Sequence, residues 1–275
     1  MKPIARALAD AARQLAPSSD TPRLDAELLM AEALGIDRDR LLLSPPDRAI
    51  PDRFWAMVDR RKAGEPVAYI TGRRAFWDIE LHVGPGVLIP RPDSEALIRC
   101  AIHHFEGTGG PVRILDLGTG PGTLLLASLD IWKKATGIGV DSSRRALSYA
   151  AANARRLGLD DRAVFRLGDW AAGLTEKFDL ILCNPPYIAE GSDLGPGVAE
   201  YEPDEALFAG GDGLDAYRCL APQIPPLLAA GGFAAVEIGA DQAEAVSALL
   251  TGPGLKTHIA EDLAGRPRAV LLTWV

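Results

Sequence analysis

Between residues 112 and 274 short apolar runs alternate with longer amphipathic stretches, and this alternation dominates the chain. The runs predict strands near 112–117, 136–140, 163–167, 178–183, 232–238, 255–260 and 269–274. The other stretches predict helices near 93–104, 121–132, 143–157, 213–229 and 241–250. Strands that alternate with helices build a largely parallel sheet with helices on both faces. The last two runs are separated only by 261–268, with one glycine and one proline, so they pair antiparallel as a terminal hairpin. The expected fold is α/β, with a seven-stranded, mostly parallel sheet.

The first 72 residues lack this alternation and read as all-helical. Ile4, Leu8, Ala11 and Leu15 recur at helical spacing, without the continuous apolar core of a signal peptide. Asp20-Thr21-Pro22 can start a helix containing Ala26, Leu28, Leu29, Ala31 and Leu34, which Gly35 ends. A short helix follows at 37–43, a break at Pro45-Pro46, and a further helix at 51–63 carrying Phe54, Trp55, Met57 and Val58. Such a small bundle is marginal alone and is expected to pack on, or extend over, a larger domain. Residues 76–83 alternate, Gly84-Pro85-Gly86 turns the chain, and Val87-Leu88-Ile89 follows, which predicts a β-hairpin. The expected organisation is a helical domain at 1–72, a hairpin linker at 73–92 and an α/β domain at 93–275.

With 275 residues, 48% of them hydrophobic and 24% charged, the composition is that of a soluble globular protein. No apolar run approaches the ~20 residues of a membrane span. Cys100, Cys183 and Cys219 show no paired spacing, so neither a disulfide framework nor a zinc site is expected, and the four histidines read as structural or surface groups. The expectation is a cytoplasmic, metal-free monomer. A net charge of −8 argues against a resident of duplex nucleic acid, whose binding rests on phosphate neutralisation. Arg38, Arg40, Arg60, Arg61, Lys62, Arg73 and Arg74 nevertheless make the first third locally basic. They read either as solvated helix faces or as a docking surface for an acidic or RNA-bound partner.

Two motifs carry chemistry. The run 178–183 ends in Asn184-Pro185-Pro186-Tyr187. Two prolines stop strand pairing and stiffen the loop at the carboxyl end of a strand, where open α/β sheets bind ligands. Asn184 offers an amide oxygen, Pro185 a free carbonyl and Tyr187 an aromatic face, a set suited to a planar NH2 group. Upstream, the run 112–117 leads into Gly118-Thr119-Gly120-Pro121-Gly122 and a helix. Glycines there let a ligand approach the backbone, and their spacing is tighter than the dinucleotide fingerprint G-x-G-x-x-G. Pro121 suits a first helical turn. The next run ends in Asp141, placed to take both hydroxyls of a ribose.

Asp116-Leu117-Gly118-Thr119-Gly120-x-Gly122, the acidic Asp141 and Asn184-Pro185-Pro186-Tyr187 resemble the class I S-adenosylmethionine-dependent methyltransferases that act on an amino or amide nitrogen. More narrowly, residues 66–72 (PVAYITG), 88–95 (LIPRPDSE), Gly168-Asp169-Trp170 and the later Tyr201-Glu202-Pro203 with Ala206-Leu207 are similar to the peptide chain release factor glutamine methyltransferases, the HemK-like group. The resemblance runs from about residue 25 to the C-terminus in motif order. Pro121 departs from the small residue expected there, and Ser94 stands where threonine is common.

The resemblance implies a Rossmann-like sheet of seven strands and S-adenosyl-L-methionine as cofactor, leaving as S-adenosyl-L-homocysteine. It implies close backbone contact from Gly118, Thr119, Gly120, Pro121 and Gly122, with Asp116 shaping the turn or meeting the amino group. Asp141 would take the ribose, and Asp169 and Trp170 would flank the adenine, although Trp170 also reads as a core aromatic. Asn184, Pro185, Pro186 and Tyr187 would hold the target amide. The implied partner is a peptide chain release factor, recognised through the helical domain. The alternatives are a ribosomal-protein glutamine, adenine in nucleic acid, or a cofactor-binding module without catalysis. The long acidic, glycine-bearing stretch 188–212 reads equally as a lid or a passive loop.

Overall fold

The computed structural model describes residues 3–195, 197–262 and 264–275, so Met1 and Lys2 of the expected first helix lie outside it, as does residue 196 of the 188–212 stretch. Helix α1 (Pro3–Leu15) buries Ile4, Leu8, Ala11 and Leu15, the stripe that the spacing predicts. Helix α2 (Pro22–Leu34) starts at a proline and ends at Gly35, which takes φ 65° and caps the last turn through its backbone N–H. Helices α3 (Arg38–Leu43), α4 (Asp52–Lys62) and α5 (Val67–Thr71) follow. Leu15, Leu29, Met30, Phe54 and Val58 are fully buried at the centre of this unit.

Five of the seven basic residues in this stretch are neutralised within it. Arg38 pairs with Glu27 at 2.7 Å, Arg61 with Asp25 at 2.7 Å and Lys62 with Asp59 at 3.2 Å, while Arg60 pairs with Glu65 and Arg73 with Glu32. Burial pushes the Glu27 carboxyl up, but its bonds to Arg23 and Arg38 outweigh that and hold it below the usual range. The basic character read from the sequence is therefore largely balanced by acidic partners within the same unit.

Strands β1 (Arg73–Phe76) and β2 (Ile79–His82) form a two-stranded sheet. This corrects the expected hairpin: the chain reverses at Trp77-Asp78, where Trp77 adopts φ 52°, and Val87-Leu88-Ile89 does not form its second strand. A 3-10 turn (Pro92–Ser94) leads into α6 (Glu95–His104).

The large sheet is built from β3 (Arg113–Leu117), β4 (Thr136–Asp141), β5 (Ala163–Leu167) and β6 (Phe178–Cys183), with α7 (Thr123–Ile131) and α8 (Arg144–Leu157) as crossovers. After β6 come the short α9 (Val198–Tyr201) and α10 (Asp215–Leu220), then β7 (Leu228–Glu237), α11 (Ala243–Leu250), β8 (Leu255–Glu261) and β9 (Pro267–Trp274). The strand order is β5-β4-β3-β6-β7-β9-β8, parallel as far as β7 and antiparallel for the last two pairs. The expected seven-stranded fold is the one observed.

Two local expectations are corrected. The helix expected at 213–229 ends at Leu220, because Pro222, Pro225 and Pro226 withhold backbone donors, and a 3-10 turn (Pro225–Leu227) hands the chain to β7 four residues early. Helix α7 starts at Thr123 rather than 121, since Gly122 precedes it with φ 89°.

The chain divides into two compact units: residues 1–73 with 194–202, and residues 74–193 with 203–275. The segment 194–202, expected within the α/β domain, groups with the helices. Tyr201 donates its hydroxyl to the Ala63 carbonyl at 3.3 Å, and Gly197 lies so close to Gly64 that a Cβ there would sit 2.5 Å from the Gly64 oxygen. The hairpin, expected as a linker, falls with the α/β unit from residue 74 onward.

Leu29→Ala is expected to destabilise the helical unit by about 2–5 kcal/mol, the range for truncating a fully buried leucine. Denaturant unfolding followed by circular dichroism measures this; a loss under about 0.5 kcal/mol would remove Leu29 from the core.

Candidate active site

Parallel register brings the carboxyl ends of five strands into one row. Leu117 is level with Val140 and with Cys183, Asp141 with Leu167, and Cys183 with Val236. The residues next along each strand therefore lie side by side: Gly168 and Asp169 after β5, Asp141 at the end of β4, Gly118 after β3, Asn184 after β6 and Glu237 ending β7. A cleft of about 1030 Å3, counting the part open to solvent, lies along this row. It has the size and position of ligand sites in open α/β sheets.

The glycine turn forms one wall. Gly118, Gly120 and Gly122 all take positive φ, at 71°, 56° and 89°, which explains their residue type. Asp116 anchors the turn from below. Its Oδ2 accepts from the Thr119 hydroxyl at 2.6 Å and from the Leu125 backbone N–H at 3.1 Å. Its Oδ1 is buried without a partner among the described residues, and burial raises its carboxyl to about 7. Asp141 accepts from the Gly120 N–H at 2.8 Å and the Ser143 N–H at 2.8 Å. Burial raises its carboxyl too; those bonds oppose the shift and nearby Glu205 adds to it.

Asn153 is a fixture that the sequence did not point to. It is fully buried, accepts from the His82 N–H at 2.7 Å, and donates to the His82 carbonyl at 3.0 Å and the Pro121 carbonyl at 2.9 Å. One amide thus ties β2, α8 and the glycine turn together. Its signal was available: a polar residue among Ala146, Ala150 and Ala154 on the buried face of α8. Pro121, the departure from the expected small residue, lines the cleft with its carbonyl held this way.

At the far side, Asp169 and Trp170 both line the cleft. Trp170 takes φ 50°, rare for a bulky residue, and a Cβ at Gly118 would lie 3.4 Å from its ring. It also packs partly against the sheet core, the other environment expected for it.

The Asn-Pro-Pro-Tyr segment is split. Asn184 and Pro186 line the cleft, whereas Pro185 and Tyr187 are not on its wall. Burial raises the Tyr187 phenol to about 12, and the Tyr187 carbonyl accepts from Gln242 Nε2 at 2.9 Å. Asn184 donates from Nδ2 to Ser94 Oγ at 2.9 Å, so its nitrogen is engaged while its oxygen remains an acceptor. Sequence reasoning gave no role to Leu88, Pro90, Arg91 or Ser94, yet all four line the cleft. The only signal was the specificity of the 88–95 motif. From the 188–212 stretch, Pro203, Glu205 and Ala206 also contribute to the wall. The ends of that stretch are tied together, Ile188 N–H to Leu207 carbonyl at 3.0 Å and Ala209 N–H to Ile188 carbonyl at 2.9 Å.

These residues fit a ligand carrying a cation and a vicinal diol: a buried carboxylate oxygen without a partner, a turn open to close approach, and a second carboxylate at the next strand end. The fold is that of the class I methyltransferases. A methyltransferase from Pyrococcus furiosus aligns with a TM-score of 0.53 at 19% identity, covering 80% of this chain and 96% of that one. A 16S rRNA N2 G1207 methyltransferase of T. thermophilus, in complex with AdoMet and guanosine, gives 0.51 at 20%, covering 74% and 50%. Residues 110–236 match the methyltransferase domain and residues 6–72 the PrmC N-terminal domain. The release factor glutamine methyltransferase of Rhodospirillum rubrum is 45% identical over 258 residues, spanning 92% of this chain and 79% of the relative. That of Cereibacter sphaeroides is 43% identical, spanning 94% and 93%. The chain belongs to the release factor glutamine methyltransferase family, and its cofactor is S-adenosylmethionine.

Asp141→Ala is expected to weaken S-adenosylmethionine binding by ~1.5–3 kcal/mol, the scale of a charge-assisted contact, in a folded protein. Unchanged affinity by titration calorimetry would remove Asp141 from the site. Binding should also titrate. A cation favours ionised Asp116, whose carboxyl stands at about 7 in the free protein, so affinity is full above that pH and declines as pH falls through it. Asp116→Asn should flatten that decline.

Proposed function

We propose that the chain methylates the side-chain amide nitrogen of a glutamine in the Gly-Gly-Gln loop of peptide chain release factors. The observation that carries this reading is Asn184, which lines the cleft beside the glycine turn with its nitrogen engaged by Ser94. An amide nitrogen is a poor nucleophile because its lone pair is shared with its carbonyl. Asn184 Oδ1 accepts one N–H of the target, with the Pro185 carbonyl as the second acceptor in this reading. Together they orient the lone pair toward the cofactor's methyl and disfavour planarity. S-Adenosylmethionine held there would supply an electrophilic methyl with a neutral thioether as its leaving group. Forming the N–C bond makes the nitrogen acidic, so its proton passes to solvent without a strong base. Positioning of this kind is worth on the order of several kcal/mol.

For the cofactor, Asp116 Oδ1 would hold the ammonium, Gly118 to Gly122 the methionine part, Asp141 the ribose, and Asp169 with Trp170 the adenine. The helical unit recognises the protein substrate. No described helix is long and apolar enough to cross a membrane.

The direct test is incubation with labelled S-adenosylmethionine and purified release factors, followed by peptide mass mapping. Label on the Gly-Gly-Gln glutamine is expected; label elsewhere, or on ribosomal protein or adenine only, replaces the substrate. Asn184→Ala should leave cofactor affinity nearly unchanged and lower kcat by at least ~10²-fold. A fast Asn184→Ala enzyme methylating the same glutamine would return the motif to the status of a rigid turn.

A further inference from the structure

Asn184-Pro185-Pro186-Tyr187 leaves β6 with two residues that carry no backbone N–H. The middle of this loop therefore has no donors of its own with which to anchor itself, and it has to be held at its ends. At the near end Asn184 Nδ2 donates to Ser94 Oγ at 2.9 Å. At the far end the Tyr187 carbonyl accepts from Gln242 Nε2 at 2.9 Å, and the Ile188 N–H reaches the Leu207 carbonyl at 3.0 Å.

Gln242 directly precedes α11 and uses both ends of its amide. Nε2 has a second hydrogen, which it donates to the Gly213 carbonyl at 3.2 Å. Oε1 accepts from the Gly239 N–H at 3.0 Å, with the Tyr217 hydroxyl 3.4 Å away. Two carbonyls on one side and an N–H on the other admit a single orientation of the amide. The surrounding backbone is close. A Cβ on Gly213 would lie 2.5 Å from the Tyr187 oxygen and 2.9 Å from Gln242 Nε2, and one on Gly239 would lie 2.9 Å from Oε1. The two glycines thus leave room for this one side chain to reach Tyr187. Gln242 is not on the wall of the cleft, whereas Asn184 and Pro186 are.

We infer that Gln242 is a positioning residue for methyl transfer: its amide nitrogen holds the Tyr187 carbonyl and so fixes the far end of the loop whose near end offers Asn184 and the Pro185 carbonyl to the target amide. The inference rests on the acceptor roles given to Asn184 and Pro185 in the proposed reaction. With one end released, the stiff two-proline segment pivots as a unit about Asn184, and both acceptors shift together. A displacement of about 1 Å at reacting groups costs on the order of 10²-fold in rate. The cofactor's glycine turn is held by other partners, Asp116, Asp141 and Asn153, and is untouched by this change.

The test uses the full-length protein with release factor as substrate and saturating S-adenosylmethionine. Gln242→Glu keeps the length of the side chain and an oxygen for the Gly239 N–H, but sets a second oxygen against the Tyr187 and Gly213 carbonyls. It should lower kcat by about 10- to 100-fold, with KM for release factor and cofactor affinity by calorimetry nearly unchanged. The loss should also depend on Asn184. In an Asn184→Ala background, adding Gln242→Glu should cost less than about 3-fold, because the acceptor it positions is already gone. Wild-type kcat in Gln242→Glu overturns the inference, and so do losses that multiply in the double variant, which mark a structural role independent of Asn184. If Gln242→Glu does not fold, Gln242→Met, uncharged and of equal length, takes its place in the same comparison with the same outcomes. Asn184→Ala alone separates the two ideas. A slow Asn184→Ala with a fast Gln242→Glu removes only this inference, whereas a fast Asn184→Ala removes the reading of the site on which it rests.

Discussion

The hydrogen bonds made by one buried carboxylate, Asp116, hold the site together. Its Oδ2 ties the Thr119 hydroxyl and the Leu125 N–H, so the end of β3, the glycine turn and the first turn of α7 become one rigid piece. The Gly118 and Thr119 N–H groups both reach the Val140 carbonyl at 2.9 Å, which binds that piece to β4. Asp141 then takes Gly120, and Asn153 takes Pro121. Backbone conformations with three positive φ values are not stable by themselves. Here four consecutive residues of the turn, 118 to 121, are held from outside.

The second organising fact is register. A one-residue slip in a parallel strand would turn its side chains to the opposite face and move its terminal residue off the row. The apolar residues that set the register of β3, β4 and β6 are almost all buried on both faces, which makes such a slip very costly. The core that stabilises the sheet thus also fixes the spacing between Asp141, Gly118, Asn184 and Glu237. Two of the carboxylates in this neighbourhood, Asp116 and Glu237, stand near neutrality, each because burial removes water from it.

Strong local signals were legible. Continuous apolar runs gave all seven strands of the large sheet, and the α1 stripe named its buried residues. The errors occurred where a distant contact overrides a local preference. Gly84-Pro85-Gly86 is a stronger turn signal than Trp77-Asp78, yet the chain reverses at the latter, with a tryptophan in a conformation that sequence rules assign to glycine or asparagine. The apolar periodicity at 213–229 continues through three prolines, and the missing donors win over the pattern. Cleft residues with glycine, acid or Asn-Pro-Pro signatures could be named. Ser94 could not be given a role, because its partner Asn184 lies 90 residues away. Glu237 could not be found either, since a lone acid ending an apolar strand looks like a residue reaching solvent.

The helical unit is assembled from two separate pieces of chain, residues 1–73 and 194–202. That division bears on how such a protein can be recombined. A module that is contiguous can be inherited or transplanted by a single splice. This one cannot, because a foreign set of helices joined at residue 73 would meet a resident 194–202 shaped to the old Ala63 and Gly64 backbone. Exchange of the helical unit between relatives therefore takes two matched cuts. Change in one piece is constrained by the other, so the two should drift together even though more than a hundred residues of the α/β unit lie between them.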